Sequence, residues 1–204
     1  MFVTILMFII AYFLGSLIPG YWIGKIFYHK NILDEGSGNI GTTNSFRVLG
    51  PIAGSITLVL DLLKGTAAGC LPLLFNNNIN PMLVGLAAIL GHTFSIWIKF
   101  KGGKAVATSA GVLLAYNPPF FIFVIAVFIV VLLLTSMVSA SSMVAFSSAV
   151  LFSFFYHDWI LLVVSIILTT FVFYRHRTNI LRIKNGTEST IPFGLYHTIR
   201  KRRQ

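Results

Sequence analysis

The chain has 204 residues, of which 56% are hydrophobic and 10% are charged, and its formal net charge is +10. A soluble globular domain carries about 25% charged residues, so this composition excludes an ordinary soluble fold and indicates a protein that lies mostly in lipid. The basic residues are interleaved with apolar segments instead of forming one soluble basic surface. We therefore expect membrane lipid, and not nucleic acid, as a partner.

Seven apolar segments follow one another along the chain, and we interpret each as a helix of an all-α, polytopic membrane bundle. A hydrocarbon core of about 30 Å needs about 20 apolar residues per crossing helix. The fourth segment is too short to cross alone, because at about 1.5 Å per residue it reaches only about 18 Å. The seven segments are 2–24, 51–75, 81–98, 105–116, 119–137, 139–156 and 158–174.

The distribution of Lys and Arg predicts the orientation, because short cytoplasmic loops of membrane proteins are enriched in both. All Lys and Arg residues except Lys64 fall in loop 25–50, loop 99–104 or the tail 175–204. Seven spans, with the N-terminus outside and the C-terminus cytoplasmic, place these three segments on one side. Five spans would also place the N-terminus and the C-terminus on opposite sides of the membrane. We predict a single integral membrane domain over 1–204.

Two features inside the spans concern packing. Small residues four positions apart mark helix contact faces in lipid, and they occur as Gly65 with Gly69, Ala87 with Gly91, and Ala107 with Gly111. Asp61 and Lys64 lie one helical turn apart in the second segment, which suits either a packing ion pair or a functional charged site.

The first basic loop contains GSGNIGTTNSFR at 36–47. Its glycines permit tight turns, its hydroxyl and amide side chains are hydrogen-bond donors, and Arg47 adds a planar fork for an anion. The stretch 36–41 also fits GxGxxG, but the preceding strand of a dinucleotide-binding fold is missing. The alternatives are an anion-binding loop and a flexible polar turn.

The second basic loop lies within GHTFSIWIKFKGGKAVAT at 91–108. Amide groups at the start of the helix that follows, together with Lys101 and Lys104, suit a phosphate. The lysines could also serve only as topological anchors.

The tail contains RHRTNILRIKNGTE at 175–188. If the seventh helix continues by one turn, His176 and Asn179 share a face. Basic residues here also suit simple anchoring at the interface. A further pattern, HxxxxD at His29 to Asp34, is interpreted as accidental, because nothing around it supplies a soluble acyltransferase site.

Together with GSLIPGYWIGK at 15–25, these three motifs resemble those of the bacterial acyl-phosphate:glycerol-3-phosphate acyltransferase family, in order, spacing and membrane setting. The resemblance implies an all-helical membrane enzyme of the bacterial plasma membrane with a cytoplasmic active site. It implies transfer of a fatty acyl group from acyl phosphate to the 1-hydroxyl of glycerol 3-phosphate, which gives lysophosphatidic acid and inorganic phosphate. This is the first acylation step of bacterial phospholipid synthesis, and no cofactor or metal is expected.

The resemblance also assigns roles to residues. The implied catalytic residues are Ser37, Arg47, His176 and Asn179. The implied substrate-binding residues are Gly36, Gly38, Asn39, Gly41, Thr42, Asn44, Lys101, Gly102, Gly103 and Lys104. Glu188 is expected to be structural. The chain departs from the family pattern at Ser95, where Pro is typical, and at Ala105, where Gly is typical.

An acyl phosphate is already activated, so the glycerol hydroxyl can attack it directly, and the protein has to position the substrates and stabilise charge. The proton acceptor is either His176 or a substrate phosphate oxygen, with His92 as a weaker third candidate. The main alternative function is transport of a phosphorylated anion, but the other connections lack Lys and Arg. A metal-dependent phosphotransferase is a second alternative, but the acidic residues form no cluster.

Overall fold

The computed structural model describes residues 1–202, with side chains up to Ile199, and every regular element in that range is helical. The predicted all-α class is confirmed. Arg203, one of the predicted basic residues of the tail, lies outside the described residues. The α-helices are α1 (Phe2–Ser16), α2 (Pro19–Phe27), α3 (Thr42–Leu49), α4 (Pro51–Leu74), α5 (Pro81–Thr93), α6 (Val106–Tyr116), α7 (Pro118–Thr135), α8 (Val138–Ser153), α9 (Trp159–Arg175), α10 (Arg177–Lys184) and α11 (Leu195–Arg202).

The chain forms two compact units, Met1–Pro118 and Pro119–Gln204. The first contains α1 to α6 with both predicted basic loops, and the second contains the rest of the chain with the predicted tail motif.

Each predicted apolar segment contains a helix. Four stretches are long and apolar enough to cross a membrane, and two bent helix pairs raise that number to six; α6 is a shorter apolar helix. The chain is thus a multi-pass membrane protein, whereas a total of seven spans and their orientation stay predictions. The four long stretches are Pro51–Leu74, Pro81–Ile98, Pro118–Thr135 and Val138–Tyr156.

The first apolar segment is not the single straight helix that its composition suggests. α1 ends at Ser16, and α2 begins at Pro19 at an angle of 42°. Pro19 has no N–H and disfavours helical geometry in the residue before it. The N–H of Tyr21 bonds the Ile18 carbonyl, which leaves the Leu17 carbonyl without its usual helical donor.

The seventh segment also differs from the prediction. Instead of continuing, α9 ends at Arg175 and α10 starts at Arg177 at an angle of 60°, with His176 at the corner. The expected continuation of the seventh helix by one turn is therefore wrong, and His176 is instead the N-cap residue of α10, the helix in which Asn179 lies; both side chains are buried.

Glycines bring the helices of the first unit into backbone contact. A Cβ on Gly65 of α4 would overlap the Thr108 carbonyl of α6, and a Cβ on Gly111 of α6 would overlap the Leu62 carbonyl of α4. Gly91 of α5 meets the backbone of α1 in the same way. The predicted small-residue contact faces are confirmed at these positions, because any larger side chain would force the helices apart.

In the second unit, α8 packs along α9, and the Thr169 hydroxyl donates a hydrogen bond of 3.0 Å across this contact to the Phe146 carbonyl. The segment after α10 returns to the corner between α7 and α8, where the N–H of Ile191 donates to the Ser136 carbonyl at 2.8 Å. This return holds residues 185–191, which include Glu188, near the start of α8.

Candidate active site

The buried amide of Asn44 organises the first basic loop. Its Nδ2 donates to the carbonyls of Ile32 at 2.9 Å and Glu35 at 3.1 Å, and its Oδ1 accepts the N–H of Ser37 at 2.9 Å. Both donors of the side chain are therefore used inside the protein. We expected Asn44 to bind substrate, but in the structure its buried side chain binds the backbone of the loop and fixes the loop's conformation.

Glycine is required at the turn next to Asn44. Gly36 has a φ of +63°, and a Cβ there would overlap Asn44 Oδ1 and lie 3.3 Å from the Arg47 side chain. Gly38 also has a positive φ, +67°. Left-handed backbone is adopted by glycine without steric cost, so these glycines fix the loop's path.

The side chains of Ser37 and Arg47 are exposed, and neither has a hydrogen-bond or ion-pair partner within the described part of the chain. Arg47 leaves the last turn of α3 and passes over Gly36. The loop thus presents a hydroxyl and a guanidinium on a frame that is fixed by buried contacts. These are the groups that can meet an anionic substrate.

The remaining predicted residues of this loop lie at the start of α3. Asn39 Oδ1 accepts the N–H of Gly41 at 3.0 Å, which closes a local turn. The Thr42 hydroxyl is buried and has no hydrogen-bond partner among the described residues. The Thr42 hydroxyl is thus enclosed by the protein, whereas Asn39 and Gly41 serve the turn.

The predicted phosphate loop is built differently from the expectation. The N–H of Gly102 donates to the Thr93 carbonyl at 2.9 Å, and the N–H of Gly103 donates to the His92 carbonyl at 3.1 Å. The sequence suggested that amides of this loop face a phosphate. The structure instead shows the amides of Gly102 and Gly103 bound to carbonyls of α5. A Cβ on either glycine would overlap the end of α5, so both glycines allow the loop to lie directly on that helix.

The two lysines that flank these glycines differ in their exposure. Lys101 is exposed and has no partner within the described range, and Lys104 is half-buried. The loop runs into α6, whose first amide groups have no partner within the helix. Cationic side chains next to a helix start still favour a phosphate.

The two departures from the family pattern have different structural consequences. Ser95 has a φ of −68°, which proline also adopts, and its hydroxyl donates to the Ser16 carbonyl at 2.7 Å. Ala105 has a φ of +57°, a conformation that is costly for a residue with a Cβ. Serine therefore adds a contact, whereas alanine adds strain.

In the second unit, His176 is buried at the corner between α9 and α10, and its Nδ1 lies 2.8 Å from the Val172 carbonyl. A carbonyl only accepts, so Nδ1 carries the proton and a neutral ring has its lone pair on Nε2. This tautomer is the one that a general base acting through Nε2 requires.

Glu188 joins three segments of the second unit. Its Oε1 accepts from Asn179 Nδ2 at 2.6 Å and from Ser139 Oγ at 2.7 Å, and its Oε2 accepts from Arg182 Nε at 2.8 Å. Burial alone would raise the pKa of Glu188, but the bonds from Arg182, Asn179 and Ser139 outweigh it and lower the pKa below its ordinary value. The carboxylate is thus held in its charged form.

Sequence reasoning missed several partners. The sequence did not indicate that Ser139 and Arg182 bind Glu188, yet both do. His92 joins the predicted pair of Asp61 and Lys64. The HxxxxD pattern forms no pair, because Asp34 accepts a hydrogen bond from Asn31 and has no hydrogen bond or ion pair with His29.

Comparisons with known proteins agree with one another. The family model described as glycerol-3-phosphate acyltransferase matches residues 5–186. The chain is 53% identical to the glycerol-3-phosphate acyltransferase of Latilactobacillus sakei, over 98% of each chain. It is 59% identical to that of Lactiplantibacillus plantarum, over 94% of this chain and 93% of the other.

The fold is also similar to a solved structure, the crystal structure of PlsY (YgiH), an integral membrane glycerol 3-phosphate acyltransferase. Its glycerol 3-phosphate form gives a TM-score of 0.86 at 35% identity, with 92% of this chain and 94% of that chain covered. Its lysophosphatidic acid form gives a TM-score of 0.82 over the same shares of the two chains.

Proposed function

This chain belongs to the glycerol-3-phosphate acyltransferase family, and we propose that its acyl donor is an acyl phosphate. The enzyme transfers a fatty acyl group to glycerol 3-phosphate and forms lysophosphatidic acid. With an acyl phosphate as donor, the bond between the acyl carbon and the phosphate oxygen breaks, an ester bond to the glycerol 1-hydroxyl forms, and inorganic phosphate leaves.

The observation that carries this proposal is that Ser37 and Arg47 are both exposed on a loop whose shape is fixed by the hydrogen bonds of Asn44. A guanidinium binds a phosphate through two parallel hydrogen bonds, and a hydroxyl adds a third donor. An acyl phosphate brings its own good leaving group, so this site needs no covalent acyl-enzyme. Arg47 stabilises the departing phosphate, and Ser37 donates a hydrogen bond to a reacting oxygen.

The second basic loop takes the phosphate of glycerol 3-phosphate in this proposal. The ammonium groups of Lys101 and Lys104 neutralise its charge. Gly102 and Gly103 act indirectly, since their contacts with α5 set where the two lysines start.

His176 and Asn179 are the other two residues to which the family resemblance gives a catalytic role. Two groups can accept the proton of the attacking hydroxyl: Nε2 of a neutral His176, and an oxygen of the donor phosphate. Asn179 is fixed by Glu188 and serves as a hydrogen-bond donor. Glu188 is structural in this scheme, because it orders Asn179 and Arg182.

Substitution of His176 decides between the two proton acceptors. His176→Asn and His176→Gln both remove the ring with its basic Nε2, but the shorter Asn side chain keeps an N–H in reach of the Val172 carbonyl. If His176 is the base, kcat at saturating substrates falls by about 10²–10⁴-fold in both variants. If the substrate phosphate accepts the proton, His176→Asn keeps kcat within about threefold of the unmodified enzyme.

The donor is tested by steady-state turnover of the purified enzyme in detergent. We expect glycerol 3-phosphate to be acylated by palmitoyl phosphate, with one phosphate released per ester formed, and not by palmitoyl-CoA. Acylation from palmitoyl-CoA alone would overturn the proposal. Phosphate release without glycerol 3-phosphate would indicate hydrolysis and would also contradict it.

We also propose that the enzyme lies in the bacterial plasma membrane with segments 25–50, 99–104 and 175–204 in the cytoplasm. The support is the concentration of Lys and Arg in these segments. Single cysteines at the exposed positions Lys30 and Asn78 test it in a Cys70→Ala background. A membrane-impermeant maleimide should label Asn78→Cys in intact cells and Lys30→Cys only after lysis; the reverse pattern would contradict the orientation.

A further inference from the structure

Inside the first unit, Lys64 of α4 forms a buried cluster with Asp61 and His92. The ammonium lies 2.7 Å from Asp61 Oδ1, 2.7 Å from His92 Nδ1 and 2.5 Å from the Leu17 carbonyl. Lys64, Asp61 and His92 are each at most 6% exposed. The ammonium forms hydrogen bonds with the Leu17 carbonyl and His92 Nδ1, and an ion pair with Asp61.

The distances assign the tautomer of His92. An ammonium only donates, so His92 Nδ1 at 2.7 Å must accept from Lys64. The longer separation of 3.4 Å between Nδ1 and Asp61 Oδ1 is then a contact between two acceptors that share one cation. A neutral His92 therefore carries its proton on Nε2.

The Nε2 edge of His92 faces the second basic loop. A Cβ on Gly103 would overlap His92 Nε2, and a Cβ on Gly102 would overlap the His92 carbonyl. The carbonyls of His92 and Thr93 accept the two glycine amides. His92 thus supports the loop with both its backbone and its ring.

On its other side, the cluster fixes the break between α1 and α2. Lys64 binds the Leu17 carbonyl, which the break leaves without a helical donor. The neighbouring Ser16 carbonyl accepts from Ser95, and Trp97 donates to the Ser16 hydroxyl at 3.1 Å. The bend of the first helix pair and the second basic loop therefore share one set of buried polar contacts.

A buried ion pair is a poor way to gain stability, since apolar residues of similar volume often stabilise a protein as well or better. We propose that Asp61, Lys64 and His92 are positioning residues that hold the second basic loop in the geometry in which Lys101 and Lys104 bind the phosphate of glycerol 3-phosphate. This inference rests on the role proposed above for that loop.

Two variants test the inference. Asp61→Leu with Lys64→Met removes both charges together and leaves His92 without its anchor. His92→Asn keeps an acceptor for Lys64 but removes the ring from Gly103. The matched control is Thr57→Val, which changes a fully buried residue of the same helix whose hydroxyl bonds only within α4.

The readouts are the Kd for glycerol 3-phosphate by calorimetry, the KM for palmitoyl phosphate, and amide exchange of residues 99–105. Displacement of a binding group by about 1 Å has large effects, so we expect Kd to rise at least about tenfold and amide exchange to accelerate in both variants. The KM for palmitoyl phosphate should stay within about twofold, and the control should match the unmodified enzyme.

The inference would be overturned if the folded double variant and His92→Asn both bound glycerol 3-phosphate with the Kd of the unmodified enzyme. It would also be overturned if the Kd for glycerol 3-phosphate and the KM for palmitoyl phosphate rose by the same factor. If the double variant does not fold, His92→Asn decides alone. An unmodified enzyme that binds glycerol 3-phosphate but does not use palmitoyl phosphate would refute the proposed donor and leave this inference standing.

Discussion

Asp61 and Glu188, the two carboxylates that are buried in the described part of the chain, are stabilised in different ways. Asp61 lies inside a membrane-crossing helix and is neutralised by the buried ammonium of Lys64. Glu188 lies beyond α10 and is held by two neutral donors and by Arg182, whose side chain is 41% exposed. The first cluster therefore depends on paired charges and the second on a set of hydrogen bonds.

This difference predicts how much stability each cluster loses when one partner is removed. In lipid no water can replace a lost partner, so an unpaired charge carries its full desolvation penalty. The side chain of Arg182 is 41% exposed, so water that reaches it can also replace a lost partner of Glu188. Loss of a single partner should therefore be more severe at Asp61 than at Glu188.

The largest effect is expected for Lys64→Met, which leaves the Asp61 carboxylate buried without its cation. We expect the free energy of unfolding to fall by about 4 kcal/mol, measured by unfolding in mixed detergent micelles. Adding Asp61→Leu should restore most of this loss, because both charges are then gone. Equal stabilities of the single and double variants would show that Asp61 does not depend on the charge of Lys64.

Glu188→Ala should have the next largest effect, because it removes the acceptor for Asn179 and Ser139 in the buried part of the second unit. We expect a loss of about 2–3 kcal/mol, with little of it from the half-exposed Arg182. The control is Glu35→Ala, which breaks an exposed pair with Lys30 and should change stability by less than about 1 kcal/mol. Similar losses in both variants would contradict a structural role for Glu188.

The pH dependence of stability distinguishes Glu188 from the rest of the second unit. Its pKa is lowered in the folded protein, so the folded state binds fewer protons there than the unfolded state. The stabilisation is present above the unfolded pKa, about 4.3, and is lost as pH falls through the folded value. Glu188→Gln should flatten the acid side of the stability profile; an unchanged slope would contradict the assignment.

The smallest effect is expected at the start of α6. Ala105→Gly relieves a left-handed backbone at φ +57° and should raise stability by about 1 kcal/mol, measured by the same unfolding assay. Ala107→Gly is the control, since it places a glycine within the first turn of the same helix, where the expected effect is a loss of about 1 kcal/mol. A loss at both positions would show that Ala105 is not strained.

Local patterns in the sequence were enough for the apolar helices, the glycine contact faces and the ion pair of Asp61 with Lys64. Each of these depends on spacing within one helix, which periodicity reveals. The breaks at Leu17 and His176 were missed. Pro19 is a visible signal for the first, whereas no proline or glycine marks the second.

Contacts between distant segments could not be predicted. Ser139 and Glu188 are 49 residues apart, and Lys64 and His92 are 28 apart, so no periodicity connects them. The motif at 91–108 predicted a loop near a phosphate, but a glycine pair has the same sequence whether its amides face a ligand or a helix end. The backbone of α5 decides this, and its position depends on the whole first unit.

The central claim is that Ser37 and Arg47 contact the reacting groups of the substrates, while Asn44 and the loop glycines hold the loop in shape. The most direct test is glycerol 3-phosphate-dependent phosphate release from palmitoyl phosphate by Ser37→Ala, compared with Ser55→Ala, which changes an exposed serine at the start of α4. Loss of one transition-state hydrogen bond predicts a fall in kcat/KM of about 10²-fold or more for Ser37→Ala. Ser55→Ala should be unchanged, and full activity in a folded Ser37→Ala enzyme would contradict the account.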